Sequence, residues 1–127
     1  MSDIETRPIR WFDRYGNPIL GTEQPAGSDE WCSAMYLIDQ LLGDPAYTQI
    51  AYSCFVAPGR STTVVTRWLG LDFRVLGDGP PLIFETFLTG MDLTGCQYTG
   101  PWRYSTLADA RAGHAEICAQ VSIAPET

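Results

Sequence analysis

The chain has no lysine: its eight basic residues are all arginines, set against fifteen acidic ones. The formal net charge is −7 and the pI about 4.4. That balance leaves no basic patch with which to hold DNA, RNA or anionic lipid directly. The missing lysine also excludes a phosphate-binding P-loop. No apolar run approaches the roughly 18 residues that a membrane span needs. The opening MSDIETRPIR is acidic where a signal peptide carries a basic patch and an apolar core, so the expected location is cytoplasmic. Cysteines occur at 32, 54, 96 and 118 without a C-x-x-C pair, and His114 is the single histidine. No Cys/His zinc pattern arises from that set, and neither metal nor cofactor is expected. The thiols are expected reduced, with Cys32, Cys54 and Cys118 inside elements as small apolar residues and Cys96 exposed in a loop.

The apolar fraction of 45% and charged fraction of 18% are those of a globular chain. At 127 residues it is one domain, 1–127, expected to fray at about 1–7 and 123–127. Ser28 or Asp29 offers an N-cap, and Trp31, Met35, Ile38 and Leu42 follow at helical spacing up to Gly43 and Pro45. From Gln49 the pattern turns extended. Gln49–Val56, Ser61–Arg74 and Pro81–Thr89 read as strands separated by turns at Pro58-Gly59 and Asp78-Gly79. A Gly/Thr-rich loop over 90–101 leads to a short extended piece, Pro101–Tyr104. Thr106 then caps a last helix whose apolar stripe includes Ala110, His114 and Ile117. The expected fold is α+β: a small antiparallel meander of three to four strands with two helices packed on one face.

A two-residue turn at Asp78-Gly79 fixes a register in which paired residues sum to 157. Leu69, Leu71, Phe73 and Val75 then share the core face with Leu88, Thr86, Phe84 and Leu82. The opposite face carries Trp68, Asp72 and Arg74 with Phe87 and Glu85. Asp72 faces Glu85 in this register, and paired carboxylates repel unless a cation or shared proton intervenes. Three readings stay open: an acid/base or metal pair, neutralisation by Arg74, Arg67 or Arg103, or a register shifted by Pro80-Pro81. His114 is read as a core histidine hydrogen-bonded to a strand side chain, against a base or ligand. The mixture Trp68, Asp72, Arg74, Glu85 and Phe87 has the composition of a partner-binding surface.

The run Trp68-Leu69-Gly70-Leu71-Asp72, then Pro81-Leu82-Ile83-Phe84-Glu85-Thr86, then Arg103-Tyr104, Thr106, Ala110 and Gly113-His114 resembles a family of small uncharacterised bacteriophage and prophage proteins. The likeness covers roughly residues 30–118. Phe73 stands where that family usually has histidine, and Arg67 where it usually has an apolar residue. The resemblance implies a phage-encoded accessory protein in the cytoplasm of a bacterial host. It would bind a host or phage protein, one version being inhibition of a defence or nucleic-acid-handling system. The alternative is a virion or assembly component that self-associates as a homo-oligomer. A third reading is a small enzyme or metal-binding protein using Asp72, Glu85, Arg103 and His114, with no reaction specified.

Overall fold

A computed structural model describes residues 10–74 and 79–122. Helix α1 (Asp29–Leu42) starts where Ser28 Oγ accepts the Trp31 N–H at 3.3 Å. The acidic pair Asp29-Glu30 complements its N-terminal dipole. A short α2 (Pro45–Thr48) follows at once. Pro45 does not merely stop α1; with Asp44 as N-cap, its fixed φ and missing N–H suit the first position of a new turn. Four strands then form a meander in the order β1 (Gln49–Ala57), β2 (Arg60–Trp68), β3 (Phe84–Asp92) and β4 (Gly95–Tyr104). All neighbours are antiparallel. Helix α3 (Leu107–Ser122) closes the chain, with the Asp109 N–H capped by Thr106 Oγ1 at 3.0 Å. The α+β meander expected from the sequence is the fold.

The register differs from the expected one. Trp68 pairs with Phe84, Thr66 with Thr86 and Val64 with Leu88, a sum of 152 in place of 157. An odd difference turns every β2 side chain to the opposite face. Thr86, Phe84 and Leu88 do face the core, but their partners there are Val64, Thr66 and Trp68, not Leu69, Leu71 and Phe73. Leu69 and Leu71 are half-buried, and Phe73 is 36% exposed. The cause is local: β2 ends at Trp68 because Gly70 takes φ +81°. Residues 69–83 form a long connection, not a tight hairpin. Val75 and Asp78 of the expected turn lie outside the described residues.

That connection is pinned by the segment before α1. The Phe12 N–H donates to Gly70 O and the Asp72 N–H to Arg10 O, both at 2.7 Å. The Trp68 ring lies over Gly70, and its Nε1–H donates to Phe12 O at 2.9 Å. A Cβ on Gly70 would meet the ring at 2.6 Å. Tyr47 of α2 meets Trp68 edge to face, with centroids 5.0 Å apart. Trp68, Ile83, Phe84, Ile19, Ala34, Ile38 and Ala110 are buried together, so α1 packs at the end of the sheet around this indole. Helix α3 lies across one sheet face. Gly113 is where that helix passes Tyr104, whose ring occupies the space a side chain there would need.

The expected loop 90–101 is largely β4, reached through Leu93-Thr94 between the pair Asp92 and Gly95. Glycine and proline hid this strand, but an edge strand tolerates both. Each edge strand carries an irregularity, β1 at Gln49/Ala51 and β4 opposite Thr86/Leu88. Two cysteine expectations fail. Cys32 and Cys54 are exposed, because they occupy the solvent sides of α1 and β1, while Cys118 is half-buried. Cys96 is exposed as expected, though within β4.

Two substitutions test this packing. Gly70→Ala combines a left-handed backbone with a ring clash and should cost more than about 2 kcal/mol in a urea melt. Gly113→Ala lies within a helix, where alanine alone would stabilise by about 1 kcal/mol. Contact with Tyr104 should reverse that sign, and adding Tyr104→Ala should make the glycine change favourable.

Candidate functional site

The strand pairings lay out the sheet face away from α3 in rows. Arg67, Glu85 and Arg103 form one row, and Tyr52, Val65 and Phe87 the next. Cys54, Thr63, Thr89 and Tyr98 follow, then Val56, Ser61, Met91 and Cys96. Among the described residues no helix covers this face: Tyr52, Val56, Met91 and Tyr98 are 56–78% exposed. Phe87 stacks on Tyr98 with centroids 5.6 Å apart. The Arg67 guanidinium sits 5.2 Å from the centre of the Phe87 ring, and that of Arg103 sits 4.7 Å from the centre of Phe73. Cations over aromatic faces are held in place by the ring quadrupole.

Glu85 is buried, at 6% exposure, and both Arg67 Nε (2.8 Å) and Nη2 (2.6 Å) donate to its Oε2. Arg103 Nε lies 4.0 Å from Oε1, an ion pair without a hydrogen bond. One carboxylate therefore serves two guanidinium groups, and the row carries a net positive charge within an acidic chain. In the true register Arg67 belongs to the face away from the helix, which is why a cation is tolerated there.

Asp72 does not face Glu85. Its Oδ1 accepts the N–H groups of Arg74 and Leu82, each at 2.8 Å, and shapes the 69–83 connection. Arg74 stays in that connection too, donating from Nε to Pro80 O at 3.0 Å. Trp68 is 1% exposed and offers nothing to a partner. Of the expected surface set, Glu85 and Phe87 share the uncovered face; Trp68, Asp72 and Arg74 do not. The expected register put Trp68 on the wrong side and hid Arg67, which strict alternation from Trp68 as a core residue turns outward; Tyr98 was hidden because its strand was expected to be a loop.

His114 is on the other side of the sheet, beneath α3. Its Nε2 is 2.9 Å from Ser53 Oγ and its Nδ1 2.8 Å from Thr66 Oγ1, and Thr66 in turn bonds Thr86. The histidine is 7% exposed, as its place on the apolar stripe implied. Burial pushes its pKa below the usual 6.5. The four residues that would have served an enzyme thus separate: Glu85 meets Arg103, while Asp72 and His114 lie elsewhere. Among the described residues, no three His, Cys, Asp or Glu side chains gather as a metal site requires, and no helix is long and apolar enough to cross a membrane. No family model, curated protein or solved structure matches the chain.

Two measurements probe these groups. Arg67→Ala leaves Glu85 buried with only the more distant Arg103. Since Arg67 is half in water, the loss should be about 1–2 kcal/mol, below the figure for a fully buried pair. Arg67→Met with Glu85→Leu should recover most of it in a double-mutant cycle. For His114, a depressed folded-state pKa means the unfolded chain binds the proton more readily. Stability should hold above pH 6.5 and fall as pH drops below it toward the folded-state value. The melting temperature of His114→Gln should lack that fall below pH 6.5.

Proposed function

We propose that this protein is a non-enzymatic, phage-encoded accessory protein that works by binding another protein through the uncovered face of its sheet. The supporting observation is the arrangement on that face: Phe87 stacked on Tyr98, with Tyr52, Val56 and Met91 exposed beside them and Arg67 and Arg103 at one end. Tyrosine, phenylalanine, methionine and arginine are the residues enriched in protein interfaces. The surplus guanidinium charge favours a partner that brings a carboxylate to Arg103 and apolar groups to the rings. The phage origin and a cytoplasmic site of action in a bacterial host rest on the resemblance of the 68–114 motif run. Inhibition of a host defence or nucleic-acid-handling system fits a small acidic binder of this kind.

The test is a pull-down from bacterial host lysate with the wild-type chain and with Tyr98→Ala and Arg103→Ala. Both side chains are partly solvated, so the melting temperatures should stay near wild type. A stoichiometric partner should bind the wild type and be lost, by about ten-fold or more in affinity, from each variant. Retention of the partner by both variants would reject the sheet face as the contact surface. A large homo-oligomer of the wild type that Tyr98→Ala dissolves would favour the self-associating assembly component.

A further inference from the structure

The charge of this chain is unevenly placed. Between Arg14 and Arg60 lie Glu23, Asp29, Glu30, Asp39 and Asp44, and not one basic residue. That stretch builds α1, α2 and the loop before them. On α1 it also leaves Tyr36 68%, Leu37 48% and Leu42 45% exposed. Tyr36 and Leu42, with Trp31 and Met35, flank the side of α1 that buries Ala34 and Ile38, whereas Leu37 points to another side of the helix.

That side borders an open groove of about 620 Å³, lined by Trp11, Trp31, Met35, Tyr36 and Leu42 with Asp39 at its margin. The volume suits two or three large side chains. The groove runs along α1 from Trp31 to Leu42. That helix has no basic residue in its last turn, so its negative dipole end is uncompensated, with Asp39 and Asp44 close by in sequence. Apolar anchors and cations are thus wanted at the same place.

We infer that the α1 groove is a docking site for a basic amphipathic segment of a partner protein, which lays leucine- or aromatic-type side chains between Trp31 and Leu42 and sets arginines or lysines against Asp39 and the C-terminal end of α1 beside Asp44. A helix in a groove uses anchors at i, i+3 or i+4, and i+7. The fourteen residues of α1 give a floor of roughly 21 Å, enough for such a spacing. An anionic membrane is disfavoured, because every charged group in this stretch would repel it. The inference stands apart from the sheet face, which carries surplus positive charge and selects the opposite kind of partner.

The test uses the full chain and three labelled 18-residue peptides followed by fluorescence anisotropy. One has leucine and tryptophan on one helical face and arginine on the other. The second has glutamate for every arginine, and the third has serine for every apolar residue. The first should bind at least about ten-fold more tightly than either control and weaken as salt rises. Tyr36→Ser with Leu42→Ser should cost about ten-fold in that affinity without lowering the melting temperature, while Tyr98→Ala should leave it unchanged. Equal binding of the serine peptide would reduce the site to general charge attraction and overturn the proposal. Unchanged binding by the Tyr36/Leu42 variant would overturn it too. Concentration-dependent self-association in ultracentrifugation, abolished by Arg103→Ala, would show that the occupant is the sheet face of a second copy.

Discussion

The indole of Trp68 is the point through which the separate parts of this chain are joined. Its Nε1–H holds the carbonyl of Phe12, its ring closes over Gly70, and its edges meet Tyr47, Ile83 and Phe84. It ties the segment before α1, which the backbone bonds of Arg10 and Phe12 also pin to Asp72 and Gly70, into the same core as Ala34 and Ile38 of α1, while the sheet face proper is given to α3. A four-stranded meander with a single helix across it buries little apolar surface. Here the end of the sheet supplies the rest.

This accounts for the most recognisable motifs in architectural terms. Trp68 and Gly70 make the turn out of β2, and Asp72 fastens Arg74 and Leu82 by their backbone N–H groups. Glu85 sits opposite Arg67, while Gly113 and His114 let α3 settle on Tyr104, Ser53 and Thr66. Residues that looked like candidates for chemistry are committed to structure. The exposed Tyr98, Tyr52, Tyr36 and Leu42 lie outside those motifs.

Much of the fold was legible in the sequence. The helix boundaries follow from Ser28, Gly43 and Thr106, and β1 with its Pro58-Gly59 turn follows from extended, apolar composition. His114 could be placed by its spacing alone. The register of β2 against β3 could not. It depended on whether Gly70 continues the strand or ends it, and glycine is compatible with both until Trp68 is known to need the space above it. One residue of parity then decided the faces of Trp68 and Arg67 together. The α1 surface was legible as charge and as periodicity, but not as a groove, since Trp11 reaches it from a segment distant in sequence.

The two irregular edge strands bear on how this protein behaves when concentrated. An uninterrupted edge offers a row of amide hydrogens and carbonyls to any free strand, and fibrils grow by adding chains to such rows. Here β1 slips register near Gln49 and β4 bulges opposite Thr86, where Pro101 has no amide hydrogen to give. A foreign strand would lose its ladder at Pro101 on β4, and on β1 it has the run Ala51–Ala57 to follow. The β4 edge is therefore the one poorly suited to lengthening sideways.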